Sequence, residues 1–282
     1  MPDMGGIKAK ADLFAIAAEN TDTLERNVTA LLAGIPPAHL DSLTRYSDTI
    51  QRDSRISVNM LQTMISSFLS LQQHWNMYEW AHSMAKLSSR APEEILRERL
   101  GDFYERRIAF DGRFVNGESF RYGALNIGGL GTWYYGEYCV VLKEEVSHRP
   151  EVAYLRSDSL KTYMRPGPAV DEEAIRRDAA PHTHRHCLAL LKHAERAPST
   201  EEPRWPAMLC SNDDYVEAIF TGQLTPDQVE AVRMPKADYE VRFHFAILSF
   251  REKLSDHDKF LVAEFRTTLV HLKQRNIPVE AI

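Results

Sequence analysis

The chain has 282 residues, with 34 Lys and Arg against 40 Asp and Glu, a formal net charge of −6. Its 44% hydrophobic and 26% charged residues are those of a globular protein with enough material for a full hydrophobic core. The acidic balance argues against a nucleic-acid binder that works by phosphate neutralisation, because no overall cationic field would draw in a polyanion.

Residues 1–14 show no apolar core followed by a cleavage pattern, and no stretch approaches the ~18–20 apolar residues that span a bilayer. Cys139, Cys187 and Cys210 are far apart, form no CxxC pair and suit a reducing compartment. The expectation is a cytoplasmic protein, or one exported without a cleaved signal, with neither membrane nor nucleic acid as partner.

The first hundred residues read as helical. Short helices are expected around 10–19 and 22–33, broken by Pro36-Pro37, and another opens at Pro92 and runs to about 107. From Ala38 to Ala91 there are 54 residues without glycine or proline. Within them Leu61, Met64, Ile65, Phe68, Trp75, Tyr78 and His82 recur at three-to-four spacing, the mark of one helix face, with Asp53 or Ser54 as its cap. Near Arg107 the texture changes. Seven of the 13 glycines fall between Gly112 and Gly136, and strands are expected at 138–142, 152–155, 215–220 and 229–234. A short helix is expected over 182–196, a loop over 197–206 and one helical turn at 225–228. Residues 238–254 fit either a strand or a helix. Ser255 then signals the start of a last helix ending near Asn276. The order of helices, a β-rich middle and helices predicts an α+β fold, divided as a helical region (1–106), a β-rich catalytic core (107–237) and a C-terminal helical segment (238–282).

One strand carries an acid. In Tyr215-Val216-Glu217-Ala218-Ile219-Phe220, Val216 and Ala218 facing a core would turn Glu217 and Ile219 to the other side. A carboxyl in such company is either paired or used, since burying it alone is expensive. An exposed face of an edge strand is the bland alternative. The run Tyr215 to Thr225, followed by Gln228 to Val232, resembles the final segment of the ADP-ribosyltransferase superfamily. Arg121 to Gly129 and Tyr135 to Lys143 are similar to segments of uncharacterised toxin-like bacterial members. The resemblance covers about residues 107–235 and implies a mixed β core that cleaves the nicotinamide–ribose bond of NAD, passing ADP-ribose to a macromolecular acceptor or to water. It implies NAD as substrate without a metal, and Glu217 as the carboxylate that steadies an oxocarbenium-like transition state. It further implies Arg121 as the catalytic and cofactor-anchoring arginine, with Arg113 in reserve, and Tyr122, Gly123, Asn126, Ser157 and Ser159 around the cofactor. The superfamily often has an acid or glutamine two residues before its glutamate; Tyr215 stands there instead, which weighs against arginine as acceptor.

Other features stay open. The glycines of Gly128-Gly129-Leu130-Gly131 match neither GxGxxG nor GxxxxGK[ST] and read as a flexible hairpin between two strands. Trp133, Tyr134, Tyr135 and Tyr138 are packing residues or a stacking platform. His182-Thr183-His184-Arg185-His186-Cys187, with His193 beyond, places His182 and His186 on one helix face, so a metal-dependent hydrolase is an alternative. A non-catalytic binding or regulatory protein acting through the helical N-terminus is another.

Overall fold

In a computed structural model, residues 9–248 and 254–282 are described. Asp12 caps α1 (Leu13–Glu19), its carboxylate accepting the Phe14 and Ala15 amides. It is followed by α2 (Thr21–Ala33) and α3 (Pro37–Asp53), which opens on a proline at its first position. The chain then extends into β1 (Arg55–Met60), where a helix start is expected. The helix face proposed over residues 61–82 is divided between α4 (Gln62–Leu71), which ends at Gln72 in the left-handed region with φ of 58°, and α5 (Met77–Leu87), which starts on an Asn76–Glu79 capping box. Next come α6 (Pro92–Leu100) and α7 (Tyr104–Gly112).

The central part of the chain supplies β2 (Arg121–Asn126), β3 (Tyr138–Leu142), α8 (Glu144–Ser147), β4 (Val152–Leu155) and α9 (Ser159–Thr162). A small hairpin of β5 (Met164–Arg165) and β6 (Ala169–Val170) precedes α10 (Glu172–Asp178) and β7 (Ala179–Ala180). Then follow α11 (Arg185–His193), α12 (Trp205–Leu209), β8 (Glu217–Phe220) and β9 (Val229–Met234). The ambiguous stretch after Asp238 belongs to α13 (Lys236–Leu248), and Ser255 does cap α14 (Asp256–Gln274). The chain closes with β10 (Val279–Ala281), a strand the sequence reading omitted.

Eight strands form one sheet in the order β10-β9-β3-β1-β2-β8-β4-β7, antiparallel except for the β9–β10 pair. The fold class is α+β, as expected. The purely helical reading of residues 1–106 is corrected, because β1 lies inside the sheet between β3 and β2. Its partners are far away in sequence: Ser57 pairs with Ala124 on one side and Val141 on the other. The missing Gly and Pro allow a helix, but Ile56, Val58 and Met60 gain more by burial against those distant strands. The glycine-rich stretch is likewise no hairpin between neighbours, since β2 and β3 flank β1 and their connection crosses its end.

Strand alternation gives the sheet two unlike faces. Ile56, Val58, Leu125, Val140, Ala218 and Phe220 lie in the main core, with Leu24, Tyr46, Phe68, Leu188 and Phe265 from α2, α3, α4, α11 and α14. The opposite face has a smaller apolar cluster, where Ala153, Leu155 and Ile219 meet Leu13 and Ile16 of α1 and Phe110 of α7. Beside that cluster runs a polar strip of Ser57, Asn59, Tyr122, Asn126 and Glu217. Among the described residues no helix is long and apolar enough to cross a membrane.

Candidate functional site

Glu217 is the first residue of β8, a strand with both neighbours in place. Its cross-strand partners are Ala124 of β2 and Leu155 of β4. Val216, Ala218 and Phe220 enter the main core while Ile219 joins the smaller cluster, so Glu217 points to the second face, as the alternation predicts. It is 3% exposed, which removes the exposed-edge alternative.

Three further elements close around it. The turn after β4 brings the Ser159 amide to 2.9 Å from Glu217 Oε2. Asp158 caps α9, its Oδ1 accepting the Leu160 and Lys161 amides at 2.8 Å each, while Oδ2 accepts the Tyr215 phenol at 2.6 Å. From α7, the buried Arg107 guanidinium lies 3.8 Å from the Tyr122 ring centroid. Its Nη1 is 3.5 Å from Asp111 Oδ1 and 3.4 Å from Ser159 Oγ. Asp111 also accepts the phenols of Tyr78, at 2.8 Å, and Tyr122.

Buried carboxyls outnumber buried cations in this cluster, and the electrostatics follow from that. Burial pushes the Glu217 carboxyl up to about 8; the neighbouring Asp158 adds to the rise, and Arg107 and the Ser159 contacts oppose it. Asp111 is raised as well, by burial, against the pull of Arg107 and the two phenols. At neutral pH Glu217 is therefore mainly a neutral acid, which ionises readily if a positive charge is brought beside it. Such a group is suited to acid–base work or to steadying a cation.

The aromatic turn adjoins this cluster. Trp133, Tyr134 and Tyr135 are 58%, 79% and 51% exposed, and the Tyr135 phenol reaches Tyr215. The turn is set by the polar strip: Asn126 Oδ1 accepts the Gly128 and Gly129 amides at 3.0 and 2.7 Å, and Asn59 Oδ1 accepts Thr132 N at 2.9 Å.

The residues singled out by sequence do not all meet here. Ser159 and Tyr122 are in the cluster. Ser157 stands at its edge, its hydroxyl accepting from Lys192 Nζ at 3.0 Å. Asn126 is on the same face but holds the glycine turn. Gly123 serves the close approach of β1 to β2, since a Cβ there would lie 2.7 Å from the Ser57 carbonyl oxygen. Arg121 is on the wrong side. It pairs with Phe220, a main-core residue, and its guanidinium bonds Glu79 at 2.7 Å and the Ser119 and His74 carbonyls at 3.3 Å. The period of two that places Tyr122 by Glu217 necessarily turns Arg121 away. Arg113, the reserve, forms a two-pronged pair with Glu172.

The imidazoles also diverge. His182 contacts Tyr154, His184 pairs with Glu25 at 2.9 Å, His186 lies 3.4 Å from Cys187 Sγ, and His193 bonds Arg196. Among the described residues no group of three or more His, Cys, Asp or Glu is arranged to hold a metal ion.

Arg107, Asp111 and Asp158 are the site residues that sequence reasoning missed. Arg107 and Asp111 were legible as an i,i+4 pair on one helix face, and Asp158 as an N-cap. No protein-family model matches the chain, and no curated protein matches it significantly.

Proposed function

We propose that the Glu217 cluster is a glycosyl-transfer site acting on NAD, breaking the nicotinamide–ribose bond and passing ADP-ribose to a macromolecular acceptor or to water. The observation that carries this reading is a buried, strand-borne carboxyl held beside a second acid, one arginine and an exposed aromatic turn. As the C–N bond breaks, nicotinamide leaves with the bonding electrons and positive charge grows on the ribose. Glu217, neutral in the closed site, releases its proton to solvent water as the positively charged nicotinamide–ribose unit binds beside it, and as a carboxylate it then opposes the charge that moves onto the ribose. Tyr215 is not an acid, yet its phenol fixes one, Asp158, beside Glu217. Arg107 replaces Arg121 as the arginine of the site, and Ser159 orients the carboxyl through its amide.

A second reading has its own support. The Asp111 and Asp158 carboxyls are bonded within the protein and Glu217 is nearly sealed, the state of a polar network that specifies a fold. On that reading the protein is a binding or regulatory module. Incubation of the purified chain with NAD, with free nicotinamide measured by chromatography, separates the two. The transferase reading requires release that Glu217→Gln abolishes. No release, or release unchanged in that variant, refutes it in favour of the second.

A further inference from the structure

Lys192 lies in the last turn of α11, a helix packed on the apolar face of the sheet, yet its ammonium ends at the edge of the Glu217 cluster. Nζ is 2.6 Å from the Tyr215 carbonyl, 2.7 Å from the Arg156 carbonyl, 3.0 Å from Ser157 Oγ and 2.8 Å from Asp214 Oδ1. These acceptors belong to two segments, one just after β4 and one just before β8. The two strands are neighbours, with Leu155 opposite Glu217. The ammonium thus clamps them where the 157–159 turn departs and where β8 begins.

Every group it holds leads directly to the carboxyls. Ser157 is followed by Asp158 and then by Ser159, whose amide bonds Glu217. Tyr215, held through its carbonyl, gives its phenol to Asp158. Three ammonium protons shared among four acceptors suit a compact, rotating point donor, and a longer, planar guanidinium placed there would have to displace at least one of them. Asp214, which Arg196 also grips, supplies the countercharge that keeps the ammonium in place.

We infer that Lys192 is the positioning residue of this site, setting the Asp158–Ser159 turn against the Glu217 strand and thereby the geometry of the carboxyl pair. The kinetic consequence rests on the NAD reading above; the structural one does not.

The test uses the full chain with 13C-labelled glutamate, the Glu217 resonance assigned through Glu217→Gln and titrated by NMR in the wild type, Lys192→Met and Lys192→Arg. Lys192→Arg preserves the charge and remains informative if the methionine variant does not fold. Positioning predicts a Glu217 midpoint displaced by about half a pH unit or more in both variants. A folded Lys192→Arg protein that titrates at the wild-type midpoint overturns the inference, because charge alone would then explain any effect of methionine. If the wild type releases nicotinamide, both variants lower kcat about tenfold or more at an unchanged KM. A wild type that releases none removes the NAD reading and leaves the titration test intact.

Discussion

Replacing Glu217 by glutamine should abolish the pH dependence of stability that this one residue imposes. Burial and Asp158 raise the carboxyl from the ordinary glutamate value of 4.5 to about 8. Between those values the folded protein keeps a proton that the unfolded chain has lost. Stability contributed by this group is therefore complete below pH 4.5, falls by about 1.4 kcal/mol per pH unit through the window and is flat above pH 8. The full span amounts to roughly 3–5 kcal/mol. Glutamine has nearly the shape of the protonated acid, its carbonyl oxygen still accepts the Ser159 amide, and it does not titrate. Urea unfolding of both proteins from pH 5 to pH 9, at fixed ionic strength, isolates the effect, since other titrations largely cancel in the difference. The variant should be near the wild type at pH 5 and more stable by a few kcal/mol at pH 9. A difference constant across that range would mean that Glu217 is ionised throughout, and the electrostatic account of the site would fail.

Two further substitutions test the geometry on which that account depends. Arg121→Met removes a buried guanidinium from its bond with the half-exposed Glu79 and should destabilise the fold by about 1–3 kcal/mol, yet leave the Glu217 midpoint in place; an NMR titration shifted by half a unit would place Arg121 in the site after all. Gly131 has φ of +68°, and a Cβ there would lie 2.2 Å from Asn59 Oδ1 and 3.0 Å from Cys139 Sγ. Gly131→Ala should therefore cost about 2–4 kcal/mol, and a melting temperature within a degree of the wild type would show that the aromatic turn is not held as described.

Glu217 was visible because the evidence for it is local. A strand of alternating pattern with one acid in it fixes which way the acid points, whatever surrounds it. Its companions are visible only in part: Ser159 and Tyr122 through the segments they belong to, Arg107 and Asp111 only as a helix-face pair, and Asp158 only as a cap. Local pattern says that α7 presents Arg107 and Asp111 on one side, but not that this side lies over β2 and β8.

The same division holds for the whole chain. The strands at 138–142, 152–155 and 229–234, the Ser255-capped helix and the α+β class are all legible locally, because they depend on spacing, caps and side-chain type within a few residues. Tertiary structure alone decided that residues 55–60 are a strand, that Val279–Ala281 extends the sheet and that Arg121 and Glu217 occupy opposite faces. The pairings behind these outcomes join residues far apart in sequence, as Ser57 with Ala124 and Val279 with Val232. Their free energy comes from surfaces that local spacing does not encode, so it overrides a local preference for helix and settles which polar side chains are buried together.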